Sequence, residues 1–138
     1  MRIAPILRSR TAAMLAVACA AASLAGCATF GGPEGTVKSR ANEFWQARLD
    51  GRPDKAYELT TPSYRELRTL RQYRVKFAGL SAKSVDVDSV TCEAERCVAR
   101  IKMEVVPPIA GLKMEPIEMY SDDIWVLEGG KWWHYEAP

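Results

Sequence analysis

Gly129-Gly130 lies between two β-rich, aromatic segments, Ile117–Glu128 and Lys131–Glu136. Two consecutive glycines admit positive φ at both central positions of a two-residue turn, so these segments are expected to close as a hairpin in a single register. That register sets Glu128 opposite Lys131, Leu127 opposite Trp132, Val126 opposite Trp133 and Trp125 opposite His134. Ile124 then meets Tyr135, and Asp123 meets Glu136. Side chains alternate across a strand. One face therefore carries Asp123, Trp125, Leu127, Trp132 and His134, and the other carries Ile124, Val126, Trp133 and Tyr135. Both faces are apolar, whereas an antiparallel sheet can leave one face in water. A partner or a second copy is the expected cover for the outer face.

Two further strands precede this hairpin. Ser84–Cys92 and Cys97–Val106 are rich in β-branched residues and flank a four-residue polar turn. In the second, Cys97, Ala99, Ile101, Met103 and Val105 alternate with Arg100, Lys102 and Glu104. In the first, Val85 and Val87 share one parity while Val90 and Cys92 share the other. A β-bulge near Asp88-Ser89 reconciles the two halves and lets Cys92 face Cys97. Pro107-Pro108 ends the second strand, and 109–116 reads as a loop.

The first half of the chain changes period. Val37, Ala41, Phe44, Trp45, Arg48 and Leu49 follow helical spacing, with Thr36 as the expected N-cap and Gly51 and Pro53 as the stop. A short helical segment, 54–60, offers Ala56, Tyr57 and Leu59 to a core. Thr61-Pro62 places a capping residue before a proline at the first helical position. One helix over 62–77 is then expected, with Leu67, Leu70, Tyr73 and Phe77 inward and Arg65, Arg68, Arg71, Arg74 and Lys76 on its other sides. Those basic residues read either as a solvated face or as a site for phospholipid, lipopolysaccharide or acidic glycan.

Ahead of all this stands a leader. Met1–Arg10 is basic, 11–26 is an uncharged Ala/Leu/Val-rich run, and Cys27 ends it. Sixteen helical residues reach about 24 Å, short of the roughly 30 Å of a hydrocarbon core, so the pattern is that of an export signal. Leu24-Ala25-Gly26-Cys27 resembles a bacterial lipobox. The resemblance implies cleavage before Cys27, thioether lipidation of its thiol and acylation of the new N-terminus. Cys19, after Ala16-Val17-Ala18, lacks the leucine. Ala28 after the lipidated cysteine implies sorting to the outer membrane, facing the periplasm. Residues 27–36 would form a flexible Gly/Pro tether, and 37–138 the domain.

Cysteine use points to the same compartment. Cys92 and Cys97 are the thiols left after the leader and the lipid site, and in an oxidising envelope they are expected to pair. The single histidine and the lack of further cysteines argue against a metal shell, and no cofactor is expected. The net charge of +2 belongs to the leader: without Arg2, Arg8 and Arg10, 16 basic side chains stand against 17 acidic ones. A folded part so balanced argues against a nucleic-acid binder.

Helices followed by a curved, four-stranded antiparallel sheet ending in an aromatic Gly-Gly hairpin resemble the NTF2-like superfamily, a cone-shaped α+β fold. Ala41-Asn42-Glu43-Phe44-Trp45-Gln46 is similar to its first helix, and Gly51-Arg52-Pro53-Asp54-Lys55-Ala56-Tyr57-Glu58-Leu59 to its second. Trp125…Gly129-Gly130-Lys131-Trp132 is similar to its closing hairpin. The resemblance implies a conical pocket between sheet and helices. Its members include isomerases, dehydratases, hydrolases and assembly modules, so the fold does not choose among them.

An enzyme of this type requires a carboxylate or histidine inside the cone. His134 and Asp123, diagonal neighbours on one hairpin face, are the candidates, with Tyr57, Tyr64 or Tyr73 from the helices. Asp122-Asp123 also reads as a turn or sheet-edge pair that keeps a strand soluble. No phosphate-binding Gly-rich loop, Gly-x-Ser-x-Gly elbow or His-Glu-x-x-His helix occurs. The expectation is a periplasm-facing, membrane-anchored lipoprotein acting as a non-catalytic module. It would bind a small apolar ligand or assemble with itself or an envelope protein. The alternative is a small hydrolase, isomerase or dehydratase using His134 and Asp123.

Overall fold

The computed structural model describes residues 31–77, 82–107 and 114–138. The leader and Cys27 lie outside the described residues. Among the described residues four helices precede four strands: α1 (Gly32–Leu49), α2 (Pro53–Glu58), α3 (Pro62–Leu67), α4 (Leu70–Lys76), β1 (Ala82–Glu93), β2 (Arg96–Val105), β3 (Ile117–Glu128) and β4 (Lys131–His134). The strands pair in chain order as one antiparallel sheet. The sheet curls around α1, which packs against β1, β2 and β4. Among the described residues, no helix is long and apolar enough to cross a membrane.

Val37, Ala41, Phe44 and Trp45 form the buried stripe of α1, as their spacing requires. They meet Val85, Val87, Cys97, Ala99, Ile101, Met103 and Trp125 from the concave face of the sheet. The start of α1 differs from the expectation. The helix begins at Gly32, not after Thr36, so the last residues of the proposed tether are helical. Pro33 suits a first turn, where a missing N–H costs nothing. Thr36 does not cap; its Oγ1 donates to the Gly32 carbonyl one turn back.

The segment 62–77 is likewise two helices rather than one. Thr61 caps α3 by accepting from the Tyr64 N–H at 3.2 Å, and Pro62 follows it. At Arg68 the backbone turns extended (φ −131°, ψ 126°). Thr69 then opens α4 with a reciprocal cap: Gln72 N–H donates to Thr69 Oγ1, and Thr69 N–H donates to Gln72 Oε1 at 2.8 Å. Thr-x-x-Gln is a capping-box sequence, and here it outcompetes continuation of the helix. The break also rotates Leu67 away from the core, where it is 67% exposed instead of buried.

In the sheet, the register shifts between Val87 and Ser89, and Cys92 pairs with Cys97. The expected bulge is thus present at Asp88, and the two cysteines form a disulfide with Cα atoms 4.0 Å apart. The terminal hairpin holds the expected register from Glu128↔Lys131 to Trp125↔His134. Gly129 and Gly130 sit at φ +59° and +76°. Asp122-Asp123 lies within β3 opposite Arg100 and Ala99 of β2, so it is not a turn; β4 pairs with β3 only from Trp125 to Glu128, which leaves the pair at an open edge of the sheet on that side. Asp122 faces out to Arg100, while Asp123 faces in.

Candidate functional site

The inward face of the hairpin brings together the two residues that the sequence singled out. Trp125 pairs with His134, and Asp123 lies one inward position along β3. The His134 Nε2 atom is 3.4 Å from Asp123 Oδ2. Both side chains are buried, Asp123 at 9% exposure and His134 at 6%. His134 therefore points into the cone, and its nearest carboxylate is the expected one.

What surrounds the pair is a packed interior. Asp123 Oδ2 already accepts the indole N–H of Trp45 from α1 at 2.6 Å. A carboxylate in such a place costs several kcal/mol of lost hydration unless donors replace the water. Trp45 supplies one donor, and the His134 imidazole stands beside the same oxygen. The Phe44 ring stacks on the imidazole with centroids 4.0 Å apart and planes 17° apart. Trp125 meets the imidazole edge-on at 5.5 Å, and Phe44 meets both Trp45 and Trp125 edge-on. Trp125 and Phe44 are the largest of the fully buried side chains.

The backbone of His134 is held as firmly. Its N–H donates to the Leu59 carbonyl, and its carbonyl accepts from the Thr61 N–H, which joins the α2–α3 connection to β4 as a short parallel bridge. The other ring nitrogen, Nδ1, lies 3.5 Å from Glu136 Oε1. Burial and then the Glu136 carboxylate raise the Tyr73 phenol well above its usual range, and the same two causes raise Tyr64. Tyr64 and Tyr73 are buried, whereas half-buried Tyr57 donates to the Arg68 carbonyl at 2.6 Å. His134 Nδ1, Tyr73 Oη and Trp125 Nε1 are buried and have no hydrogen-bond partner among the described residues.

A general base must reach the proton it abstracts. Here one ring face lies under Phe44, an edge lies against Trp125, and the oriented carboxylate is shared with Trp45. Among the described residues the arrangement satisfies a buried carboxylate and packs this chain's own aromatic side chains around it. Among the described residues no cluster of His, Cys, Asp and Glu could hold a metal ion. Sequence reasoning found His134 and Asp123 but not Trp45 as their partner. Trp45 was legible as a core position of α1; its pairing with a residue 78 positions away carries no local signal.

The outer hairpin face is apolar, as expected, but partly covered from within. The guanidinium groups of Arg40 and Arg65 each lie 4.9 Å from the Trp133 ring. Burial, and to a lesser extent the neighbouring Arg65, lowers the Arg40 pKa. Ile124, Val126 and Trp133 are half-buried, and Tyr135 remains exposed.

No protein-family model matches the chain, and no curated protein matches it by sequence. Solved structures do. A proposed NTF2-like transpeptidase from Campylobacter jejuni superposes with a TM-score of 0.52 at 12% identity, over 75% of this chain and 100% of that one. A SEC-C motif-containing protein from Psychrobacter arcticus superposes with a TM-score of 0.55 at 11% identity, over 73% of this chain and 59% of that one. Likeness at this identity speaks of backbone alone. The chain folds as an NTF2-like α+β domain, with helices laid in a curled four-stranded antiparallel sheet.

Proposed function

We propose that this chain is an envelope lipoprotein, anchored through Cys27 to the outer membrane and facing the periplasm, whose NTF2-like domain is a non-catalytic binding or assembly module. The observation that carries the non-catalytic reading is the filled cone: His134 is clasped by Phe44, Trp125 and the Trp45–Asp123 pair. Binding then falls to the outside of the domain, where the hairpin presents Trp133 and Tyr135. The leader, Leu24-Ala25-Gly26-Cys27 and the Cys92–Cys97 disulfide support the envelope assignment.

His134 is the single histidine of the chain, so its access can be read directly. Diethyl pyrocarbonate should leave the imidazole unmodified, by absorbance at 240 nm, until urea unfolds the protein. Rapid native-state modification would overturn the filled-cone reading. It would favour the second one, a small hydrolase, isomerase or dehydratase with His134 as base, which draws support from the 3.4 Å His134–Asp123 separation. For the anchor, Cys27→Ser should leave an unprocessed precursor; an unchanged mature mass refutes lipidation. Light scattering tests self-assembly, with a mass above one copy expected and a return to one copy in Tyr135→Asp.

A further inference from the structure

The α3–α4 corner combines two features that a merely solvated face does not. The first is charge. Arg68, Arg71, Arg74 and Lys76 are all exposed, and among the described residues none of them makes a salt bridge. Glu66 is the only acidic residue between 62 and 76. Arg65 is otherwise engaged, donating to the Glu58 and Thr60 carbonyls and lying over Trp133.

The second feature is apolar surface among those cations. Leu67 is 67% exposed and Val75 81% exposed, the two most exposed large aliphatic side chains described. Nothing in the packing of two short helices requires them to be aliphatic. Between the helices runs a groove of about 330 Å³ lined by Tyr64, Arg68, Gln72, Val75, Lys76 and Pro138. It offers to one occupant the Arg68 guanidinium, the Gln72 amide, an apolar wall and the Lys76 ammonium, which also donates to the Ala137 carbonyl at 3.3 Å. Exposed cations and exposed aliphatics on the same two short helices match an anionic interface, where phosphates meet the charges and the apolar groups enter the headgroup boundary.

We infer that the α3–α4 corner is a contact surface for anionic phospholipid bilayers, with a headgroup phosphate seated between Arg68 and Lys76. The surface stands on its own residues and does not depend on lipidation of Cys27. Each basic side chain held near an anionic bilayer strengthens attachment roughly fivefold. Arg71→Glu/Arg74→Glu should weaken this contact on the order of 25-fold or more.

The test is hydrogen–deuterium exchange of the full chain on phosphatidylcholine vesicles with and without phosphatidylglycerol. Amides within 65–76 should exchange more slowly only when phosphatidylglycerol is present. The slowing should vanish at high salt, in Arg71→Glu/Arg74→Glu and in Leu67→Ser/Val75→Ser. All four side chains are exposed, so both variants should keep the wild-type circular dichroism and urea midpoint. Equal exchange on both vesicle types overturns the inference, as does slowing that survives the charge reversal. Slowing by soluble polyanions with none on vesicles overturns it too, and assigns the corner to an acidic macromolecule. Vesicle attachment through the leader leaves 65–76 unaffected, so failure of the anchor and failure of this surface read out separately.

Discussion

Asp123→Ala removes the acceptor on which the interior is organised. In the folded protein Asp123 Oδ2 takes the Trp45 indole N–H at 2.6 Å and stands 3.4 Å from His134 Nε2. A hydrogen bond to a charged group contributes about 1.5–3 kcal/mol net, and a buried donor left without a partner costs about 1–3 kcal/mol. Alanine incurs both, because Trp45 and His134 are too buried for water to substitute freely. The expected loss is about 3–5 kcal/mol, a large part of the roughly 5–15 kcal/mol available to a domain. At roughly 4–8 °C per kcal/mol, the melting temperature falls by at least about 12 °C. Asp123→Asn keeps an amide oxygen for Trp45 and should lose only about 1–2 kcal/mol. Urea unfolding of the full chain, followed by far-ultraviolet circular dichroism with the disulfide intact, gives these values. Trp45→Phe combined with Asp123→Ala closes a double-mutant cycle, whose coupling energy should exceed about 1 kcal/mol. An Asp123→Ala loss below about 0.5 kcal/mol would refute the reasoning, because it would mean that water already serves the indole.

Three further outcomes follow from other sites. Tyr73 Oη is buried without a partner among the described residues, so Tyr73→Phe should change stability at pH 7 by no more than about 1 kcal/mol. Because the folded state raises the Tyr73 pKa above the ordinary 10.0, the neutral phenol contributes fully below pH 10. That contribution is lost as pH rises beyond it, so Tyr73→Phe should flatten the fall in urea midpoint above pH 10; an unchanged slope would contradict the burial of the hydroxyl. Reducing Cys92–Cys97 should cost about 2 kcal/mol, since the closed loop is short; a midpoint unmoved by reductant would refute this. Gly130→Ala should cost about 1–2 kcal/mol through backbone strain alone, because φ is +76° and a Cβ there meets no atom within 4 Å; no measurable change would show that the turn relaxes.

The strand half of the fold was legible because its signals are local and mutually constraining. Gly129-Gly130 fixes a two-residue turn, and the turn fixes every cross-strand pair up to Trp125↔His134. The parity conflict between Val87 and Val90 had one resolution compatible with paired cysteines, and the register shift lies there. Helix ends were harder, because two plausible caps competed in each case. Thr36 looked like a start but lies inside α1, since Pro33 permits an earlier first turn. Thr69 looked like a helix interior but starts α4, since Gln72 completes its cap. That break turned Leu67 outward and left the α3–α4 groove, neither of which apolar periodicity reveals. The His134–Asp123 pairing followed from the hairpin register. Its burial did not, because Phe44 and Trp45 reach it from α1, far away in sequence.

A closed interior makes one demand of a single proton. The Trp45 indole N–H, bonded to Asp123, is observable in nitrogen-15 proton correlation spectra, and its exchange in deuterium oxide can be timed. If the cone is filled by Phe44, Trp45, Trp125 and His134, that proton exchanges only when the domain opens, with a free energy close to that of global unfolding. Exchange within minutes at neutral pH, while the core backbone amides stay protected, would contradict the account. It would mean that water reaches Asp123 in the native state, as an open catalytic pocket requires.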